Sequence, residues 1–201
     1  MPDPTRPPRS VAGLIPAAGR SSRMGRDKLL AEVGGRPMLR RVAEALLAGG
    51  CRPLVAVCRG GDDPRRAVLA GLPVTLVTAA ASGDASGAGM GTSIAAGAAG
   101  LEAATVEGVA VCAADLPLPA AADVAALLAA FDGATVTALA HDGARGHPVL
   151  FPARLLPALA ALTGDDGARA VLRGEAVRLV AAGPGCRVDV DTPADLAALE
   201  S

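Results

Sequence analysis

The stretch LIPAAGRSSRMGRDKLL, residues 14–30, carries an apolar strand directly into a loop of Gly19, Ser21, Ser22 and Gly25 interspersed with the cations Arg20, Arg23, Arg26 and Lys28. With the residues before it the apolar run reads VAGLIPA, 11–17, a continuous apolar segment of the kind buried on both faces of a sheet. Such a strand opening into a Gly- and Ser-rich loop marks the start of an α/β domain with a largely parallel sheet. The loop suits a polyphosphate: Gly and Ser let backbone N–H groups approach closely, Arg forks neutralise phosphate oxygens, and a Lys adds a point charge. It is not a P-loop, because two residues separate Gly25 from Lys28 and Leu29 follows. The G-x-G-x-x-G fingerprint of dinucleotide sites is absent as well.

Outward from this loop the pattern alternates apolar runs with helical periodicity. A helix is predicted from Pro37, with Leu39, Val42, Ala43, Leu46 and Leu47 on one face and Gly49 and Gly50 ending it. Strands follow at 53–58 and 73–79, separated by a short helix within 64–71. The segment 92–101 reads as a helix with Thr92 or Ser93 at its N-cap. GVAVCAA, 108–114, is a continuous apolar run expected at the centre of the sheet, and it ends at Asp115. Beyond it come a helix at 120–130, a strand at 135–140, a turn HDGARGHP leading into strand 149–151, a helix broken at Pro157 and another from about Asp165. Strands at 176–181 and 187–190 precede a last helix with Thr192 as N-cap, Pro193 in its first position and Asp195 in its first turn.

Composition narrows the class. The 201 residues suffice for one sizeable domain, taken as 11–201 behind a frayed, proline-rich leader over 1–10. Hydrophobic residues make up 51% of the chain but aromatics 1%, so Val, Leu, Ile and Ala must build the core. No uninterrupted apolar run reaches membrane-spanning length, and a net charge of −1 offers no global field for nucleic acid or an anionic membrane. Anions must therefore be held locally. Cys51, Cys58, Cys112 and Cys186 have no C-x-x-C spacing and read as reduced thiols of a cytoplasmic protein, with Cys51, Cys58 and Cys112 in or beside apolar strand-like runs.

Asp115 follows a central strand, where open α/β sheets bind ligands, and is aimed away from the sheet by Leu116 and Pro117. A carboxylate there suits Mg²⁺ bridging to a phosphate. Asp189 and Asp191, on one face of the 187–190 segment, are both candidates for a second ligand. His141 and His147 are not needed as bases if the nucleophile is a phosphate monoester, which is largely dianionic at neutral pH. Gly146, His147 and Pro148 instead read as shaping an acceptor pocket, or as no more than a turn before strand 149–151.

The run Ala17, Ala18, Gly19, Ser21, Arg23, Met24, Gly25 and Lys28 resembles the signature loop of the MobA-like nucleotidyltransferases, and among them most closely the molybdenum cofactor cytidylyltransferases. GMGTSIAAG (89–97), ADLPL (114–118), GHPVLF (146–151), LTGDDGARAVL (162–172) and VDVDTPADL (188–196) resemble further motifs of that family, in the same order. The resemblance implies a single three-layer α/β domain with a mostly parallel sheet, the dinucleotide-binding-like nucleotidyltransferase fold. It implies transfer of CMP from CTP to the phosphate of molybdopterin, with Mg²⁺ as cofactor and pyrophosphate released. Lys28 and Arg23 would grip the phosphates and act with Asp115 in catalysis. Ala17, Ala18, Gly19, Arg20, Ser21, Ser22, Gly25, Gly91, Thr92 and Ser93 would line the nucleotide, and Asp115 and Asp191 would hold the metal. Three rivals stand beside this reading: a guanylyltransferase of the same family, a cytidylyltransferase for another phosphorylated acceptor, and an accessory protein delivering cofactor to a molybdoenzyme. GTP-using relatives show L-A-G-G where this chain has Pro16, Ala17, Ala18 and Gly19.

Overall fold

The computed structural model describes residues 10–19, 27–61, 63–79, 89–101, 105–165 and 167–199. Strand β1 (Val11–Pro16) leads through the loop to a short 3₁₀ turn, Lys28–Leu30, and a two-residue hairpin, β2 (Glu32–Val33) with β3 (Arg36–Pro37). Then come α1 (Met38–Ala48), β4 (Leu54–Cys58), α2 (Pro64–Val68), β5 (Val74–Thr78), α3 (Met90–Ala99) and β6 (Gly108–Val111). The second half holds α4 (Ala121–Ala130), β7 (Val136–His141), β8 (Ala144–Pro152), α5 (Leu156–Ala160), α6 (Arg169–Leu172), β9 (Val177–Ala181) and α7 (Pro193–Ala198).

Among the described residues seven strands form one sheet in the order β5-β4-β1-β6-β8-β7-β9. All neighbours are parallel except the pairs that β8 makes with β6 and β7. The side chains of β1 alternate between two cores as the pleat requires. Val11 and Ile15 pack with Leu39, Val42 and Leu46 of α1 and with Val124 and Leu127 of α4. Ala12 and Leu14 pack on the other face with Ile94 and Ala98 of α3 and with Leu156 and Leu159 of α5. The result is the mostly parallel three-layer domain expected. Aliphatic side chains let these layers approach closely: a Cβ on Gly97 would overlap Leu14 and stand 2.9 Å from Val57 Cγ2.

Four local expectations are corrected. Helix α3 starts at Met90 behind Gly89, so Thr92 and Ser93 lie inside its first turns and neither is the N-cap. The turn between β7 and β8 is confined to Asp142 and Gly143, both at positive φ, which suits a tight hairpin. Gly146, His147 and Pro148 are therefore strand residues. They fit a strand because its register against β7 shifts between Ala138 and Ala140, and at such an irregularity a ladder tolerates a proline. The 187–190 segment makes no strand. It is an irregular stretch whose Val190 is fully buried with Met38, Val33 and Leu196 in a third, smaller core. The helix expected from about Asp165 is the single turn α6, which begins at Arg169.

Candidate active site

Parallel strands β1 and β6 are neighbours, and β1 is where strand order departs in two directions, toward β4 and toward β6. The crevice outside their carboxyl ends is thus the ligand position of an open α/β sheet. Lys28 enters it from the 3₁₀ turn, which Asp27 caps by accepting from Leu29 N–H at 3.2 Å. Its ammonium donates to Asp115 Oδ2 at 2.9 Å and to Asp191 Oδ1 at 2.7 Å.

Two carboxylates far apart in sequence converge because the backbone ties them together. Val190 donates its N–H to the Asp115 carbonyl at 3.1 Å, while burial of Val190 anchors the segment that carries Asp191. Asp195 completes the capping box of α7 and also accepts from Asp191 N–H at 3.0 Å, so it orients the metal candidate as well as the helix. Asp189 is exposed, and among the described residues Asp191 is the one that shares Lys28 with Asp115. Burial of Lys28 disfavours its charge, but the hydrogen bonds to Asp191 and Asp115 outweigh this and raise its pKa above the ordinary 10.5.

The loop is gripped from below by a residue that the sequence did not single out. Arg65 of α2 is fully buried. It donates to Asp27 through Nε at 2.7 Å and Nη2 at 2.9 Å, and through Nη1 to the carbonyls of Ala17 and of Gly19, the latter at 2.7 Å. One guanidinium thus fastens both ends of the segment between Gly19 and Asp27. Arg20, Ser21, Ser22, Arg23 and Gly25 lie outside the described residues.

Pro16, Ala17, Gly19, Lys28, Ser93 and Asp115 line a small cavity of about 150 Å³ at this crevice. The Ser93 hydroxyl is buried there and has no hydrogen-bond partner among the described residues, so it faces the cavity as an unused polar group. Ala18 is instead a core residue. Gly91 and Thr92 are tied elsewhere: both backbone N–H groups donate to the Gly164 carbonyl, and a Cβ on Gly91 would stand 2.6 Å from the Thr163 carbonyl oxygen.

A larger cavity of about 610 Å³ adjoins it, with Pro16 and Met90 common to both. Because β8 runs antiparallel to β6, its first residues reach past the carboxyl end of β6, and Gly146 and His147 line this space. His147 Nδ1 lies 3.4 Å from the Val111 carbonyl. Burial holds its pKa below 6.5, and Arg145 and Arg169 push the same way against the pull of Asp115. His141 is engaged with the Ala182 carbonyl at 3.0 Å. All four cysteines are free and buried, and burial raises Cys51 to about 12 and Cys58 to about 11, which leaves them neutral thiols.

The donor set fits a divalent cation. Asp115 and Asp191 already place oxygens within 2.9 Å of one positive centre, the Lys28 ammonium. Among the described residues no group of three His, Cys, Asp or Glu side chains gathers as a metal site. A hard cation here would therefore take two carboxylates and complete its shell with water and substrate phosphate, the usual arrangement for Mg²⁺.

A Gly- and Ser-rich sequence after the first strand, a lysine between two carboxylates and a mostly parallel sheet are the features of a nucleotidyltransferase-type α/β protein. The MobA-like NTP transferase domain matches over residues 13–182, and the chain belongs to that family. The nicotine blue oxidoreductase of Paenarthrobacter nicotinovorans is 33% identical over 181 residues, covering 81% of each chain. Among solved structures, Rv0371c of Mycobacterium tuberculosis H37Rv superposes with a TM-score of 0.77 at 24% identity, over 96% of this chain and 99% of that one. Its complex with manganese gives 0.75 at 23% identity, over 95% of this chain and 98% of that one. A nucleotidyl transferase from Methanothermobacter thermautotroptrophicus, Mth528, gives 0.77 at 21% identity, over 95% of this chain and 96% of that one. Among the described residues no helix is long and apolar enough to cross a membrane.

Proposed function

We propose that this protein transfers CMP from CTP to the phosphate of molybdopterin and releases pyrophosphate. The observation that carries the reading is Lys28 Nζ held between Asp115 and Asp191 beside the cavity lined by Ala17, Gly19 and Ser93. The triphosphate lies along the loop, with Arg23 and Lys28 offsetting charge that gathers around the α-phosphorus during in-line attack. The acceptor phosphate is its own nucleophile, so no general base is needed, and His147, held neutral by burial, shapes the pocket. A divalent cation, Mg²⁺ or the manganese found in the mycobacterial neighbour, would be held by Asp115 and Asp191 and would polarise an α-phosphate oxygen. Orientation and electrostatics supply most of the acceleration. Preference for CTP is supported by the Pro16-Ala17-Ala18-Gly19 sequence, and molybdopterin by the six ordered motifs of the resemblance. The protein works as a single cytoplasmic domain over residues 11–201.

A second reading, that the chain is itself an oxidoreductase, has one specific support. The Paenarthrobacter relative is an oxidoreductase by name. Pyrophosphate release measured with CTP and GTP, in the presence of purified molybdopterin, tests the first reading, and turnover of nicotine blue in parallel tests the second. CTP-dependent pyrophosphate release together with a cytidylylated product is the expected result. Equal turnover with GTP refutes the base assignment, and nucleotide binding without turnover leaves an accessory role.

A further inference from the structure

The larger cavity has a charge pattern that the nucleotide does not account for. Along β8 every second residue faces it: Arg145 at the exposed mouth, then His147, then the buried Val149 and Phe151. The opposite wall brings Arg169 of α6 and Arg173 at its C-terminal end, four residues apart and so on one side of a helical turn. Three guanidiniums from two separate elements thus border one space with an apolar floor. Among the described residues none of the three guanidiniums makes a hydrogen bond or an ion pair, whereas those of Arg65, Arg154 and Arg178 are each bonded to carboxylates. Among the described residues Asp165 is the one carboxylate lining the cavity, against three arginines. Arg145 and Arg169 both act electrostatically on His147, which lines the same cavity.

Unpaired guanidiniums around a cavity are the arrangement that planar, bidentate recognition of an oxyanion requires. The small cavity beside Lys28 and Asp115 is lined by none of the three. The anion they would hold therefore sits away from the reacting phosphorus. A space of about 610 Å³ also exceeds what a lone phosphate fills and suits an organic molecule with an apolar body.

Resting on the nucleotidyl-transfer reading, we infer that this cavity is the acceptor subsite and that Arg145, Arg169 and Arg173 bind an anionic group of the acceptor remote from its attacking phosphate. The substrate class is thus a compact organic phosphate carrying a further oxyanion or comparable anionic centre, its apolar part lying over Val149 and Phe151.

The test is titration of inorganic phosphate into the full chain, followed by calorimetry, with the nucleotide site first saturated by α,β-methylene-CTP and Mg²⁺ so that no transfer occurs. Wild type binds phosphate saturably. Arg145→Gln, Arg169→Gln and Arg173→Gln each weaken that binding about tenfold, the loss of one charge-assisted contact, with unchanged melting temperature and unchanged affinity for the nucleotide analogue. Absence of saturable phosphate binding in wild type, or variants that bind phosphate as well as wild type, overturns the assignment. If the nucleotide analogue itself fails to bind, the transfer reading falls. The comparison of phosphate binding between wild type and the arginine variants still decides the subsite.

Discussion

Arg65 and Asp27 form a two-pronged ion pair, Nε to Oδ2 at 2.7 Å and Nη2 to Oδ1 at 2.9 Å, with the guanidinium fully buried. The same guanidinium satisfies the carbonyl oxygens of Ala17 and Gly19, so its removal would take two donors from the Asp27 carboxylate, to which Arg59 Nη2 still donates at 3.1 Å, and one from each of two carbonyls. Breaking one side of a buried pair costs far more than the intact pair contributes. Arg65→Met is expected to lower unfolding free energy by about 3–5 kcal/mol in urea titrations. Arg65→Lys, which keeps the charge but not the fork, should recover part of it. A loss below about 1 kcal/mol for Arg65→Met, the level of an exposed pair, would show that the loop ends are held by other contacts.

Lys28 should matter more to turnover than to folding. Its ammonium lies between two carboxylates at the cavity wall, and its raised pKa keeps it protonated through the neutral range. Lys28→Ala is expected to lower kcat and kcat/KM together by about 100-fold or more, the signature of an interaction made mainly in the transition state. A rise in KM for CTP with unchanged kcat would make it a ground-state binder instead.

What the sequence revealed and what it hid follow one rule. Apolar runs such as 11–17 and 108–114 announce buried parallel strands, because a strand covered on both faces cannot contain polar residues; Asp115 stands out as the first carboxylate after such a run. Arg65 was hidden. On a short, weakly patterned helix it reads as a solvated charge, and its burial depends on Asp27 arriving from a distant loop. Arg145, Arg169 and Arg173 carry no common spacing, since a strand and a helical turn bring them together only in the folded chain. Gly146, His147 and Pro148 have turn composition yet lie in β8, because the register shift against β7 removes the usual objection to proline. The Val-Asp alternation suggests a strand with Asp189 and Asp191 on one face and does not choose between them, whereas burial of Val190 in an irregular segment fixes the position of Asp191.

His147 gives the protein an acid-sensitive component of stability. Burial lowers its folded-state pKa below the unfolded value of 6.5, so between these two values the unfolded chain binds the proton more readily and stability rises with pH. The contribution is fully present above the unfolded value. It is lost as pH falls through 6.5 toward the folded value and levels off below that. Replacing the side chain by the neutral, similarly sized Gln should flatten this part of the profile. The check is melting temperature against pH for wild type and His147→Gln. Parallel curves across that window would show that His147 does not titrate differently in the two states.

Asp115 and Asp191 are the pair on which the enzymatic reading most depends. Their oxygens reach one ammonium, and both are partly exposed, so each contact with Lys28 is screened by solvent and adds little to stability. The backbone bond from Val190 to the Asp115 carbonyl and the cap that Asp195 provides do not involve either carboxylate. Asp115→Asn and Asp191→Asn should therefore leave the main-chain arrangement and the melting temperature nearly unchanged. Nucleotidyl transfer is a different matter, because two negative charges at this point are what would draw a divalent cation and a phosphate into one place. Each variant is expected to lose transfer activity by about 100-fold or more and to respond less steeply to added Mg²⁺ or Mn²⁺. Calorimetry or circular dichroism reports the fold, and pyrophosphate release over a metal titration reports the chemistry. An unfolded Asp115→Asn would mean that its carboxylate holds the turn after β6. Full activity in either variant, or wild-type activity that survives EDTA, would remove the two-carboxylate metal site from the mechanism.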